Sequence, residues 1–279
     1  MAKHNLVNLY GTVSGVPKIF KNETTGEYVT AYCPVTVIRG TRESGTDGIS
    51  DIRYDNPVIL SGNPRIIEEM ATWELNDMVE IKGVVTTRNI TKKTKCPHCD
   101  EVNRIEGCML TFITPIYAAT RETGISKETS IQLLKRHIEV SNQVSLIGYL
   151  VNDPDYYRTQ FGVDITQYPI AVNRKFRIKD DDPANKTDYP WIKSFNTIAR
   201  ADAKALKRGA LIFVDGMIQT RDVKRKSVCS YCENEFEWAD SAVEIVSYAN
   251  EYLRDFNTQA DIEEKQEKEA EGFADDALQ

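Results

Sequence analysis

A stretch of 45 residues occurs twice in this chain. Asp55 through Cys99 aligns without a gap to Asp188 through Cys232, at a constant offset of 133. The identical pairs include Asp55/Asp188, Pro57/Pro190, Ile59/Ile192, Gly83/Gly216, Thr87/Thr220, Arg88/Arg221 and both Cys-x-x-Cys pairs. A gapless register ending on four matched cysteines marks a duplication, and it requires both halves to share one fold. The repeat extends upstream. Val7-Asn8-Leu9-Tyr10-Gly11-Thr12-Val13 resembles Val144-Ser145-Leu146-Ile147-Gly148-Tyr149-Leu150. Cys33-Pro34-Val35-Thr36-Val37-Ile38-Arg39 resembles Tyr168-Pro169-Ile170-Ala171-Val172-Asn173-Arg174. With 279 residues there is room for two domains of about 100–150 residues each.

Apolar alternation and β-branched content predict five strands in each copy. In the first they fall near residues 5–13, 27–39, 57–62, 78–88 and 108–117. In the second they fall near 142–151, 163–176, 190–198, 211–221 and 240–248. A short helical stretch lies between strands three and four, at 64–72 and 200–207. This order is that of the OB-fold, a small Greek-key barrel. The expected class is mainly β: two tandem five-stranded OB barrels, each with an extended cysteine hairpin between strands four and five. The expected boundaries are 1–120 and 141–256 for the barrels, with a linker at 121–140 that holds a short helix. A tail at 257–279 is charged, poor in apolar residues and expected to be disordered. The tail holds eight acidic and two basic residues, so the other 256 residues carry only −1 of the total −7. A near-neutral body can still present a basic face, and the total does not exclude an anionic partner.

The first strand begins without a signal-peptide pattern, and no apolar run approaches the roughly 20 residues that span a bilayer. A cytoplasmic location is expected. There, Cys-x-x-Cys pairs point to metal or redox chemistry rather than to a disulfide framework. Zinc takes four thiolate or imidazole ligands in a tetrahedron, and one Cys-x-x-Cys turn supplies two. His98 and Cys108 offer further donors in the first hairpin, but no Cys or His follows Cys232 in the second. The economical arrangement pools Cys96 and Cys99 with Cys229 and Cys232, giving one zinc per chain, within a chain or between chains. The alternatives are relict knuckles without metal and a redox dithiol. The second is disfavoured because the motif lies in a β-hairpin and not at a βα junction. Cys33 alternates with core positions and reads as a small buried apolar group, as does Cys108.

The second repeat resembles the bacterial-type single-stranded DNA-binding proteins, the SSB family. The residues that carry the resemblance are Asn142 through Leu150, Asp153-Pro154, Ala171 through Phe176, Trp191, Leu206 through Gly216 and Gln219-Thr220-Arg221. They lie in the family's order and cover most of residues 142–222; the first repeat looks like a diverged copy. Two departures stand out. Most members of the family have one OB domain, whereas this chain fuses two, and the family's hairpin between strands four and five normally lacks Cys-x-x-Cys. A fused, zinc-bearing variant fits a phage or mobile element.

The resemblance implies a non-enzymatic role: holding single-stranded DNA with little sequence specificity during replication, recombination or repair. Such proteins stack bases on aromatic side chains and line the phosphates with basic ones. In the second repeat Phe176 and Trp191 occupy positions where the family places stacking aromatics. Tyr156, Tyr157 and Phe161 lie near the first turn, and Arg174, Lys175 and Arg177 interleave with Phe176. The bland reading makes Phe176 and Trp191 core residues. The first repeat has Val58 where the second has Trp191; its substitutes are Arg39, Tyr28, Tyr32 and Tyr54. Tyr28, Thr30 and Tyr32 share one strand face by period two. Binding is therefore expected to concentrate in the second repeat. Both hairpins have basic arms, Arg88, Lys92 and Lys93 in the first and Arg221, Lys224, Arg225 and Lys226 in the second, suited to phosphates or simply to solvent.

The family's acidic tail recruits partner proteins; here the tip order of that tail is not kept, so docking and plain solubilisation remain alternatives. No catalytic constellation stands out, since His4, His98 and His137 are scattered and no Gly-rich phosphate loop is present. Two rival functions stay open: an OB-fold adaptor that uses its barrels for protein contacts, and a single-stranded RNA binder. A homo-oligomer is compatible with all three.

Overall fold

The computed structural model describes residues 4–45, 48–176, 178 and 187–263. The first half runs β1 (His4–Val13), β2 (Lys18–Lys21), β3 (Tyr28–Arg42), β4 (Ile49–Asp55), β5 (Val58–Ser61), α1 (Pro64–Met70), β6 (Met78–Lys95) and β7 (Val102–Glu122). Two helices follow, α2 (Lys127–Arg136) and α3 (Ile138–Ser141). The second half runs β8 (Asn142–Leu150), β9 (Asp155–Arg158), β10 (Asp164–Asn173), β11 (Thr187–Asp188), β12 (Trp191–Phe195), α4 (Asn196–Ala205), β13 (Leu211–Val228) and β14 (Glu235–Arg254). None of the described helices is long and apolar enough to cross a membrane.

The order repeats, and so does the pairing. In each half the first strand pairs with the long second strand of the barrel, β1 with β3 and β8 with β10, and closes a small barrel. The strand before the short helix runs parallel to the last strand, β5 with β7 and β12 with β14. Each barrel is thus an OB-fold with its helix between strands three and four. Alternation fills the interior: Val7, Leu9, Val35, Val37, Ile59, Ile81 and Ile113 are buried in one half, and Val144, Leu146, Ile170, Val172, Ile192, Val214 and Ile245 in the other. At about 25 cal/mol per Å2 of apolar surface, these side chains supply most of the drive to fold. Trp73 belongs to the same core.

Gly83 and Gly216 show why the repeat keeps a glycine. A Cβ on Gly83 would lie 2.6 Å from the Thr114 carbonyl oxygen, and one on Gly216 2.4 Å from that of Val246. Both sit where the long hairpin shifts register, so the backbones approach too closely for any side chain.

The hairpins are longer than the sequence predicts. Strand four is predicted to stop near residue 88 or 221, but β6 and β13 run on to Lys95 and Val228, and β7 and β14 begin at Val102 and Glu235. The polar arms pair across their whole length, so backbone bonding extends strands that lack an apolar pattern. The strands β2, β9 and β11 are too short to leave a periodic signal, and β4 is polar and largely exposed, so it carries no apolar alternation. The linker helix starts at Lys127 because Ser126 caps it, accepting from the Thr129 amide at 3.2 Å. Leu134 and Ile138 anchor the two linker helices on Ile38 and Met78 of the first barrel.

The barrels join through β1 and β8, which pair antiparallel with Val7 opposite Val144. These two valines are equivalent positions of the repeat, so the junction has the self-complementary pattern of a twofold dimer within one chain. Equivalent asparagines flank it. Asn5 exchanges hydrogen bonds with the backbone of Val85 at 2.9 and 2.8 Å, and Asn142 does the same with Ile218 at 2.8 and 2.9 Å.

Candidate functional site

The repeat's most persistent identities are crossed latches between the barrels. Asp55 of the first accepts from the Thr220 amide of the second at 2.7 Å. Asp188 of the second accepts from the Thr87 amide of the first, also at 2.7 Å. Each carboxylate is buried and also holds an arginine of its own barrel, Arg39 at 2.6 Å and Arg174 at 2.7 Å. The Asn56 amide donates to the Thr220 hydroxyl at 2.9 Å, and the Tyr189 amide to the Thr87 hydroxyl at 3.0 Å. Paired charges with their remaining lone pairs filled are what a buried position tolerates. The sequence shows these residues as matched, yet their partners lie across the domain boundary, which spacing alone does not reveal.

The latches set the two hairpins side by side, and their tips meet. Cys96, Cys99, Cys229 and Cys232 place their sulfurs within 4.8 Å of one another. Cys96 and Cys232 are 3.8 Å apart and Cys99 and Cys229 3.6 Å. A tetrahedron with metal–sulfur bonds of about 2.3 Å has edges of about 3.8 Å. The knuckles are built alike. The Cys96 amide donates to Glu101 at 2.9 Å and the Cys229 amide to Asn234 at 3.0 Å. Asp100 and Glu233 take the left-handed conformation at φ 64° and 59°. The amides of His98 and Tyr231 point at the sulfurs of Cys96 and Cys229, both at 3.4 Å. Asn103 ties the tips together: its amide donates to the Cys229 sulfur at 3.3 Å, and its carbonyl accepts from the Ser230 amide at 2.8 Å. Burial pushes the Cys229 thiol up, but the amides of Cys232 and Tyr231, with the Asn103 side chain and the Cys99 thiol, favour the thiolate and bring it down to about 6. Phe236 and Trp238 cover the cluster. Neither His98 nor Cys108 joins it: His98 pairs with the Glu235 carbonyl at 3.3 Å and Cys108 with that of Ile105 at 3.6 Å. Cys33 is buried in the first barrel, and burial pushes its thiol up to about 12.

The predicted stacking residues of the second barrel lie on its surface. Trp191 is 45% exposed and Phe176 39% exposed, which is not core behaviour. The strand explains Trp191: it opens β12 opposite Pro169, and its neighbour Ile192 points inward. Phe176 follows β10, with the Lys175 ammonium 5.8 Å from its ring centroid. Tyr156 and Tyr157 sit on β9, and Phe161 is exposed in the turn after it. Tyr156 donates to Asp164 at 2.8 Å, which raises the phenol's pKa.

Arg174 is not on that surface. Its side chain is 6% exposed and committed to Asp188. Arg39 is similarly committed to Asp55. Lys92 is also turned inward, bound to Asp240 of the other hairpin and 5.6 Å from the centroid of Trp238. Alternation cannot reveal such pairings, because their acidic partners lie far away in sequence. Arg177 falls outside the described residues. Arg88 and Lys93 lie on β6. Arg221 binds Glu244 at 3.1 and 2.8 Å, while Arg225, Lys224 and Lys226 pair with Asp240, Glu237 and Glu235 at 2.6, 3.9 and 3.4 Å. The Lys224 and Lys226 pairs are solvated on both sides, and exposed pairs of this kind are weak; Arg225 is half exposed, but its partner Asp240 is buried and also holds Lys92. Burial raises the pKa of Glu244, but Arg221 and Lys193 outweigh it and hold the carboxyl below its usual range.

In the first barrel Tyr28 and Tyr32 lie on β3 and Tyr54 on β4. Phe20 stacks on Tyr32 at 5.9 Å, with the ammonium groups of Lys18 and Lys21 5.5 and 4.8 Å from the centroids of Tyr32 and Tyr28. Val29 shares the strand face of buried Ala31 and Cys33 but is half exposed, because it lies near the end of the strand. Phe20 and Tyr189 are exposed aromatics missed by sequence reasoning. The signals were present: Phe20 lies in the run Lys18-Ile19-Phe20-Lys21, and Tyr189 stands two residues from Trp191.

Residues 141–233 match the family model described as the single-strand binding protein family. Single-stranded DNA-binding protein 1 of Staphylococcus aureus (strain MSSA476) is 35% identical over 85 residues, covering 30% of this chain and 53% of that protein. The single-stranded DNA-binding protein of Thermotoga maritima is 36% identical over 80 residues, 29% of this chain and 57% of the other. The chain thus spans about half the length of the curated relatives it matches. Both barrels together resemble the crystal structure of the wild-type single-stranded DNA binding protein from Thermus aquaticus. The TM-score is 0.56 at 16% identity, over 92% of this chain and 97% of that one. A deletion mutant of the same protein gives a TM-score of 0.57 at 15% identity.

Proposed function

We propose that this chain, whose residues 141–233 belong to the single-strand binding protein family, binds single-stranded DNA with little sequence specificity. The observation that carries this reading is the half-exposed Trp191 on the barrel that matches that family, with Tyr189 beside it in one cleft and Phe176 and Tyr157 exposed on the same barrel. Aromatic faces accept any base, and each stack contributes about 1–3 kcal/mol. Lys224 and Lys226 are available to phosphates by exchanging weak surface pairs, exposed Lys175 lies beside Phe176, and Arg225 keeps a half-exposed guanidinium while its Nε holds Asp240. Arg39, Arg174 and Lys92 are left out, because they hold the barrels and hairpins together. Phe20, Tyr32, Lys18 and Lys21 extend the footprint onto the first barrel.

The four-thiolate cluster holds one zinc ion per chain in this reading. The sulfur spacing, the N–H donors aimed at sulfur and the buried position all suit a closed structural site. When bound, zinc replaces the repulsion of clustered thiolates with four bonds and clamps the hairpins. Loss of the bound zinc in Cys96→Ser and in Cys229→Ser supports the shared site; two zinc ions per chain contradict it.

The test of binding is a titration with a 30-nucleotide single strand, the matched duplex and the matched RNA. Preference for the DNA single strand, weakening as salt rises, supports the reading. Equal affinity for the duplex overturns it, and preference for RNA transfers it to the other polymer.

A further inference from the structure

A cavity of about 370 Å3 lies between the first barrel's hairpin and the second barrel's surface. One wall is Met109 and Leu110 of β7. The other is Tyr189 and Trp191 of the second barrel, with Arg221 and Arg225 at the edge. We propose that this cavity is a single-nucleotide site built by both barrels, in which a base lies between Trp191 and Met109 and its phosphate meets Arg225. The proposal rests on the single-stranded DNA reading and adds a wall that the second barrel lacks by itself.

The size falls within the range of small-ligand clefts, roughly 300–1,000 Å3. The chemistry is that of a base rather than a metal or an anion alone: an aromatic face on one side, a polarizable thioether on the other, guanidinium groups at the rim. Arg221 is pinned by two hydrogen bonds to Glu244, and Lys193 binds the same carboxylate from beneath at 3.1 Å. Arg225 in turn binds Asp240 through Nε at 2.6 Å, and Lys92 holds the same carboxylate. Each of the two carboxylates is therefore matched by two cations, which offsets its repulsion of a phosphate.

The walls are held in register by the crossed latch. Thr87 binds both Asp188 and the Tyr189 amide, and Thr87 pairs directly with Thr111 on β7. The latch thus fixes β7 against the segment that carries Tyr189 and Trp191.

The duplication supplies an internal control. The counterparts of Tyr189 and Trp191 are Asn56 and Val58. The counterparts of Met109 and Leu110 are Ser241 and Ala242, judged by their pairing with Asn89, Arg88, Asp222 and Arg221. Ser241 and Ala242 line the same cavity, so the bulk on its hairpin side comes from Met109 and Leu110, which the second copy replaces with small residues, as it replaces Asn56 and Val58 with Tyr189 and Trp191.

The experiment compares wild type, Trp191→Ala, Met109→Asp and Met109→Leu in the full chain, using fluorescein-labelled single-stranded DNA and Trp191 fluorescence, taken as wild type minus Trp191→Ala. Met109 is exposed, so an unchanged melting temperature and zinc content are expected for both of its variants. Met109→Asp is expected to weaken binding about tenfold or more and to reduce the quenching of Trp191 at saturation, while Met109→Leu restores most of both. If Met109→Asp binds and quenches like wild type while Trp191→Ala is impaired, the shared site is wrong and the single-strand reading stands. If wild type shows no preference for single strands, the underlying reading itself fails.

Discussion

The two barrels share a scaffold but not a surface. In the first barrel the position opposite Pro34 is Val58; in the second the position opposite Pro169 is Trp191. The first has an aromatic cluster at its β2–β3 edge, Phe20 on Tyr32 with two lysines beside them, and no exposed tryptophan among its described residues. The second spreads Trp191, Tyr189, Phe176 and Tyr157 across its face. What did not diverge is the set of residues that join the halves: Asp55 and Asp188, Thr87 and Thr220, Asn5 and Asn142, and the four cysteines. The difference teaches that duplication here preserved the twofold junction while the outward chemistry changed on each side.

The largest expected effect breaks that junction. Asp188→Ala strands the buried Arg174 and the Thr87 amide, and unfolding in urea should show a loss of about 3–5 kcal/mol. Asp55→Ala should cost less, about 1–3 kcal/mol, because Arg39 is 22% exposed and can turn to water. Equal losses would mean that the latches are interchangeable. Next in size, removing zinc with a strong chelator should lower the melting temperature of wild type by several degrees, roughly what 1–2 kcal/mol produces in domains of this size. The same chelator should leave Cys96→Ser unchanged.

A smaller effect separates the barrels by pH. Asp164, Asp240 and Glu244 have pKa values lowered by hydrogen bonds and cations, against the cost of burial in the last two, and all lie in the second barrel. A lowered folded-state value gives stability that is present above the unfolded pKa, about 4, and lost as pH falls through the folded value. Asp202, raised chiefly by burial, acts in the opposite sense. The balance favours earlier loosening of the second barrel, so amide exchange below about pH 4 should rise first in β10, β13 and β14.

Much of this was legible in the sequence. The 133-residue offset carries the duplication, alternation carries the barrel strands, and the pooled cysteine quartet follows from having only two donors in the second hairpin. The crossed latches were not legible, because periodicity describes one strand and says nothing about which carboxylate arrives from the other barrel. For the same reason Arg174, Arg39 and Lys92 read as free basic groups, although each is held by an acid distant in sequence. Met109 gave no signal: an exposed methionine on a hairpin arm gains meaning only once Trp191 is seen across from it.

The central claim is the inequality of the two surfaces. It is tested most directly by measuring the affinity of Trp191→Ala and of the double variant Phe20→Ala/Tyr32→Ala for the same single-stranded oligonucleotide, side by side at fixed salt. The loss of one strong stack in Trp191→Ala should weaken binding about tenfold or more. The first-barrel double variant should lose less than about threefold. A larger loss in the double variant, or equal losses in the two proteins, would contradict the account.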